Sequence, residues 1–261
     1  MENKVSKKEK IKSIEKALDL LELLSDKEKE IGITEIGKEL HMGVSTVHRI
    51  LTTLKCRNYI VQNRQTSKYM LGAKLFILGY KVQNTKNLIK VVMPFLQRLS
   101  TYTNETINFA ILEGREVICL YKIESKEMLR AGLDIGTKIP AYSTSLGKVL
   151  LAFLPEHEFM MLYNDSNEKL TTFTSSTISS VEELRKRLKK IKKQRYAIDE
   201  EEFKIGVNCL GVPIINNEGK VIASISISGP KSRFNLSKME KVKSMLIALS
   251  QDISKQLLNN I

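Results

Sequence analysis

Between Glu39 and Glu105 the chain has no carboxylate, while Arg49, Lys55, Arg57, Arg64, Lys68 and Lys74 all fall in that interval. A cationic surface free of acidic groups suits the binding of a polyphosphate, whose counterions basic side chains displace and which a carboxylate would repel. The residues from 45 to 55 add a second signal. Val47, Ile50, Leu51 and Leu54 recur at i, i+3, i+4 and i+7, the spacing of a buried helical stripe. At about 100° per residue, Ser45, Arg49 and Thr52 then face directly outward, with Thr46, His48 and Thr53 on the flanks. Arg binds guanine bidentately in the major groove, and Ser, Thr and His reach phosphates or base edges. These types at this spacing point to duplex DNA.

A helix reads DNA only when other elements hold it. Upstream, Thr34 is placed to cap a shorter helix over about 35–41, with Ile36 and Leu40 on one face. His41 to Val44 form a tight connection in which Gly43 is free to take a positive φ. The two helices make a helix-turn-helix. An amphipathic helix over about 13–25, carrying Ile14, Ala17, Leu18, Leu21 and Leu24, completes a three-helix core. Residues 59–61 and 68–71 are β-favouring runs around polar 62–67, which predicts a hairpin wing with Arg64 and Lys68 at its tip, suited to phosphate contact. A basic helical face is often only a solvated one, and some winged helices bind protein; the wing and the carboxylate-free interval favour DNA.

Beyond the wing, 72–82 reads as an unusually apolar helix (Leu75, Phe76, Ile77, Leu78, Tyr80), which suggests burial against a second copy. A further helix begins near 86, with Pro94 expected to break or kink it, and the domain boundary falls near 82–86. Runs 105–112 and 117–123 form one antiparallel strand pair, and 208–215 with 220–228 form another, over a turn at 216–219. Helices over 143–154, after Pro155, over 180–194 and from 237 separate and follow them, with Ser180/Glu183 and Ser237/Glu240 as capping boxes. The pattern is an α+β domain on an antiparallel sheet.

Composition narrows the class. The 261 residues are 42% hydrophobic with no Trp and carry a net charge of +13, enough for two modest domains and a polyanionic partner. No apolar run approaches the roughly 20 residues of a membrane span. The opening MENKVSKKEK has no apolar stretch, so we expect no secretory signal and a cytoplasmic protein. Cys56, Cys119 and Cys209 are odd in number and far apart, and His41, His48 and His157 are equally scattered. Neither a disulfide framework nor a metal site is expected, and nothing calls for a cofactor.

The whole chain from Lys12 to Leu257 resembles the IclR-type transcriptional regulators. The resemblance rests on STVHRIL at 45–51, YMLG at 69–72, LGKVLLA at 146–152, YAIDEEEFKIGVNC at 196–209 and SISISGP at 224–230, in the family's order. It implies a winged helix-turn-helix (10–72), a linker helix (73–85) and a GAF-like α+β effector-binding domain with an antiparallel sheet (86–261). It implies a homodimer or homotetramer acting on an operator, with DNA affinity set by a small metabolite, typically an organic acid.

By position in those motifs, the effector pocket would be lined by Met128, Ala131, Ile139, Ser145, Leu146, Asp199, Cys209, Ser226 and Ser228. Ser226 and Ser228 alternate with Ile225 and Ile227, so both hydroxyls leave one face of a strand. The helix opening near Ser145 offers backbone N–H groups to a carboxylate. The alternative is that these serines face solvent, Asp199 caps or pairs, and Cys209 fills core. Asn58 and Arg195 stand where the family commonly has Gly, so the turn before Tyr196 is expected to differ locally. Leu146 stands where small residues are usual, implying a smaller or more apolar pocket. The cationic run from Arg185 to Arg195 is most simply the solvated side of a helix anchored by Leu184, Leu188 and Ile191. The competing function is a cysteine-dependent redox enzyme on the same sensor-like domain, which requires an accessible thiol of low pKa.

Overall fold

The computed structural model describes residues 10–27, 29–80, 83–165, 168–216 and 218–258, and the chain divides into two compact units between Lys86 and Asn87. The first holds helices α1 (Lys12–Asp26), α2 (Ile33–Glu39) and α3 (Val44–Cys56), strands β1 (Ile60–Gln62) and β2 (Tyr69–Leu71), and helix α4 (Ala73–Tyr80). Leu20, Leu24, Ile31, Ile36, Val47, Leu51, Ile60 and Tyr69 form its core, with Ile50 and Leu54 packed against it. The α3 stripe therefore points inward. β1 and β2 pair antiparallel, Ile60 opposite Leu71, and Ile31 bridges to Tyr69 as a further rung.

Two local expectations fail here, and the turn uses a different residue from the Gly that was free to serve it. Ile14 and Leu18 of α1 stay exposed, and its buried positions are Leu20 and Leu24. Gly32, not Thr34, is the N-cap of α2, so Thr34 lies inside the first turn. The left-handed residue of the turn is His41, at φ 50, while Gly43 takes φ −64 as the N-cap of α3. The backbone explains the exchange: Met42 N–H bonds Gly37 C=O at 2.8 Å and His41 N–H bonds Lys38 C=O at 3.4 Å. That pair of bonds closes α2 through a left-handed residue at position 41 and leaves Gly43 to open the next helix.

Helix α5 (Gln83–Thr103) spans the division, so its start precedes the expected one; residues 81 and 82 of the predicted apolar helix lie outside the described residues. It continues through Pro94, whose ring leaves the Lys90 carbonyl without its helical N–H donor. The second unit continues with β3 (Thr106–Glu113), β4 (Glu116–Ile123), β5 (Lys138–Pro140), α6 (Ser145–Ala152), α7 (Glu156–Leu162), α8 (Val181–Gln194), β6 (Ala197–Glu200), β7 (Val207–Ile215), β8 (Val221–Pro230) and α9 (Leu236–Leu258). The six strands form one antiparallel sheet in the order β5-β4-β3-β8-β7-β6.

Both sheet faces are covered. Ile107, Phe109, Leu210, Val212, Ile214, Ile225 and Ile227 join one core with residues of α5 and α9. Strand alternation sends Ala110 and the polar residues between them toward α6, α7 and α8, whose apolar residues build the second core. Gly211 brings α6 onto the sheet: a Cβ there would stand 2.8 Å from the carbonyl carbon of Ser145.

The helix ends also depart in detail from the expected caps. Ser180 Oγ accepts the Glu183 N–H at 3.3 Å, but the Glu183 carboxylate returns to Ser179 N–H, one residue earlier than a capping box requires. For α9 the cap is Asn235, whose Oδ1 accepts the Lys238 N–H at 3.0 Å; Ser237 lies inside the helix. In the turn over 216–219, residue 217 lies outside the described residues. Arg195 occupies φ 62, ψ 23 as the C-cap of α8, so this turn keeps the left-handed form that a Gly would take. A left-handed non-Gly residue costs about 1–2 kcal/mol, of which the greater unfolded-state freedom of Gly cancels part. Arg195→Gly is therefore expected to raise stability by about 0.5–1 kcal/mol in chemical denaturation; a loss of stability would show that the Arg side chain more than offsets its backbone.

Candidate DNA interface and effector cavity

On α3, Ser45, His48, Arg49 and Thr52 are exposed and Thr46 is half-buried. The Thr52 hydroxyl donates to His48 C=O at 2.8 Å and Thr53 to Arg49 C=O at 2.9 Å, so each hydroxyl proton is spent within the helix. Lys55 Nζ donates to Gln62 Oε1 at 2.7 Å and ties the end of α3 to the wing. Arg64 and Lys68 are exposed around the wing turn. One carboxylate does reach this surface from outside the acid-free interval. Glu30 accepts hydrogen bonds from Asn63 Nδ2 and Thr66 Oγ1, each at 2.6 Å, and these bonds hold its carboxyl below the usual carboxylate range. Linear sequence hides this, because Glu30 precedes the interval and joins the wing only through the Ile31–Tyr69 bridge.

In the second unit a cavity of about 530 Å³ opens between the sheet, α6 and the segment 203–207. Ala131, Ile139, Ser145, Leu146, Asp199, Cys209, Ser226 and Ser228 line it together. Met128 does not, and its side chain is 98% exposed. The loop after β4 accounts for this. Ser125 is held by Asn104 C=O at 2.7 Å and Thr106 Oγ1 at 3.2 Å, and Leu129 C=O accepts from Arg233 at 2.9 Å. The chain thus crosses the rim with Leu129 and Arg130 turned to the cavity and Met128 turned away.

Register explains how residues distant in sequence converge. Asp199 pairs with Cys209, Cys209 with Ser228 and Ser228 with Thr106 in one row across β6, β7, β8 and β3, and Ser226 pairs with Asn108 in the parallel row two residues along. Asn108, absent from the sequence reading, is fully buried; its Nδ2 donates to Ser228 Oγ at 2.9 Å and Ser226 Oγ at 3.3 Å. Ser228 Oγ in turn donates to Cys209 Sγ at 3.1 Å. Ser145 Oγ, at the first turn of α6, is buried without a hydrogen-bond partner among the described residues. Leu129, Leu133, Ile139, Leu146 and Phe203 supply apolar walls, and Arg130 and Lys204 supply cationic ones.

Burial dominates the electrostatics. Asp199 is buried and its carboxyl is pushed up to about 7, chiefly by loss of solvent, with Glu202 adding to the shift and Lys148 opposing it. Lys148, fully buried in α6, donates to Ile198 C=O at 2.6 Å and forms a close ion pair with Glu202. Burial also raises the Cys209 thiol well above its ordinary value and pushes Cys119 up to about 11. A nucleophilic thiol needs the opposite shift, so the redox-enzyme alternative has no support in either residue. Cys56 lies exposed at the end of α3. Among the described residues no group of three His, Cys, Asp or Glu side chains is placed to hold a metal.

A winged helix-turn-helix followed by an α+β domain with a polar-floored cavity is the architecture of a two-domain DNA-binding protein. Comparison gives the family. Residues 13–64 match the IclR helix-turn-helix domain and residues 80–255 match the bacterial transcriptional regulator IclR C-terminal domain. The chain belongs to the IclR family of DNA-binding transcriptional regulators. It is 37% identical over 236 residues, 90% of this chain and 93% of that protein, to the HTH-type transcriptional regulator XynR of Escherichia coli K12. The Thermotoga maritima IclR crystal structure matches with TM-score 0.77 and 29% identity over 94% of this chain and 98% of that one. An IclR homologue from Microbacterium hydrocarbonoxydans, solved in complex with 4-hydroxybenzoate, shares the fold at TM-score 0.83 with 21% identity, covering 94% of this chain and 98% of that one. The named relatives are transcriptional regulators, not enzymes. No helix among the described residues is long and apolar enough to cross a membrane.

Proposed function

We propose that the chain is a cytoplasmic regulator whose affinity for an operator changes when a small organic acid occupies the cavity of its second domain. One observation carries the ligand reading: Asp199, Cys209, Ser226, Ser228 and the unpartnered Ser145 hydroxyl share one polar floor under apolar walls, with Asn108 bonded to both β8 hydroxyls. Buried polar groups without partners await a ligand that supplies them, and the first-turn N–H groups of α6 favour a carboxylate. Arg130 and Lys204 add positive charge at the walls, and the 4-hydroxybenzoate complex of a fold neighbour is consistent with a small acid. Ala131, Ile139 and Leu146 would pack the carbon skeleton; Met128 lies outside the cavity lining.

For DNA, Ser45, Thr46, His48, Arg49 and Thr52 enter the major groove while Arg64 and Lys68 meet phosphates. The apolar, exposed Ile77 and Leu78 of α4 suit packing against a second copy, which would place a second α3 on the other half-site. The test is footprinting of the full chain on the DNA beside its own gene, with and without a panel of small acids. An acid that raises the melting temperature and alters the footprint supports the reading; footprints indifferent to every acid that binds would overturn it. Arg49→Ala is expected to weaken operator binding by about 1–3 kcal/mol at fixed salt, with the fold intact, and unchanged affinity would remove Arg49 from the interface.

A further inference from the structure

The wing turn is held by a residue outside the hairpin. Glu30 precedes Ile31, whose N–H and C=O bond Tyr69 at 3.1 and 2.9 Å, and from that anchored position its carboxylate spans the turn to Asn63 and Thr66. Both partners shape the turn themselves. Asn63 Oδ1 accepts the N–H groups of Gln65 and Thr66 at 2.8 and 3.3 Å, and Thr66 Oγ1 accepts the N–H of Lys68 at 3.3 Å. Asn63 N–H also closes on Lys68 C=O at 2.8 Å, and Ser67 adopts a left-handed φ of 58. Arg64 lies between the two braced residues and Lys68 just beyond them. Both are exposed, and Lys68 lies near enough to Glu30 for its charge to add to the lowering of that carboxyl.

A carboxylate in a phosphate-binding surface is electrostatically unfavourable, since it repels the strand that Arg64 and Lys68 attract. Two 2.6 Å hydrogen bonds from opposite sides of a strained turn give it another use. We propose that Glu30 is a positioning residue for DNA binding: it locks the wing turn so that Arg64 and Lys68 are presented together to the duplex backbone. The gain is pre-organisation, because an unbraced six-residue tip would have to be ordered when DNA binds. This rests on the reading that Arg64 and Lys68 meet phosphates, which an unchanged slope in the R64A, K68A double variant would overturn separately, and does not depend on the effector reading.

The experiment measures the dissociation constant of the full chain against salt, using a duplex enriched from a random-sequence pool by the unaltered protein. Glu30→Ala should behave like the Arg64→Ala, Lys68→Ala double variant. Its log–log salt dependence should be shallower by up to about 1.8, two phosphate contacts at about 0.9 each, which is at most about thirtyfold weaker binding at 0.15 M salt. Glu30→Gln should keep the original slope, because its carboxamide oxygen accepts from Asn63 and its NH₂ donates to the Thr66 hydroxyl. Simple repulsion predicts the reverse: both variants lose the charge alike and bind more tightly. An E30A slope no shallower than that of the unaltered chain, or equal behaviour of E30A and E30Q, overturns the proposal. Melting temperatures of both variants within a few degrees of the original exclude a change of fold.

Discussion

Lys148→Met is expected to destabilise the second domain by about 3–5 kcal/mol in chemical denaturation at neutral pH, the usual cost of removing one partner of a buried ion pair. Lys148 has no exposed surface, and its partner Glu202 is nearly as buried, with Oε2 lacking any hydrogen-bond partner among the described residues. Methionine matches the length of the lysine stem, so the loss is chiefly electrostatic. The Glu202 carboxyl, already raised by burial and lowered only by Lys148 and other cations, would then have to take a proton to stay inside. Lys148→Met combined with Glu202→Leu should recover most of the loss, because an apolar pair of similar volume replaces a buried ion pair at little cost. A loss under about 1 kcal/mol in the single variant, or no recovery in the double, would refute this account. The pair also bears on the cavity. Glu202 C=O accepts from Thr177, and the following residues Phe203 to Val207 form one cavity wall, so Lys148 pins that wall to α6.

Much of the fold is legible in sequence because its elements are amphipathic and long. The α3 stripe, the wing strands and the two long hairpins were readable from periods of 3.6 and 2. β5 and β6 were not, since three and four residues are too few to show an alternation, and both are edge strands fixed by tertiary pairing. The His41 and Arg195 turns escaped for a different reason. Residue type favours Gly at positive φ, but which residue of a turn must take it is set by the closing hydrogen bonds of the preceding helix. In both turns the helix C-terminus overrode the residue preference.

The candidate sites divide along the same line. Outward positions of α3 follow from geometry internal to one helix, so sequence reaches them. The cavity floor depends on register between strands far apart in the chain, and there the family resemblance supplied what periodicity could not. Asn108 shows the gap: nothing in TINFAILE marks it, yet opposite Ser226 it becomes the donor that organises both serine hydroxyls. Glu30 shows it again, as a charge adjacent to the wing in space only. Met128 differs from the rest of the implied set: it stands exposed and outside the cavity lining, on a loop whose course the sequence does not show.

Asp199→Asn is expected to raise stability at pH 8 by up to about 4 kcal/mol, and to lose that advantage progressively as the pH falls toward 4. Burial pushes the Asp199 carboxyl from its ordinary value of 3.8 up to about 7 in the folded chain. Between those values the folded state holds a proton that the unfolded state releases, so the acid stabilises the fold fully below pH 4 and loses that contribution as pH rises through 7. Above 7 the native chain carries a buried carboxylate facing Glu202 and the Cys209 thiol, with Lys148 already committed to Glu202. Asn has no proton to lose and keeps the acceptor that Asp199 Oδ1 offers to Glu202 N–H at 2.8 Å. Parallel stability profiles for the two chains between pH 4 and 8 would show that Asp199 titrates normally. The same proton reaches function through the proposed ligand. An organic anion in the cavity repels ionised Asp199 and accepts a hydrogen bond from its protonated form, so binding draws in a proton. Affinity for an acid effector should then fall by up to about tenfold per pH unit above 7, and D199N should abolish that dependence. A dependence retained in D199N would place the titrating group elsewhere.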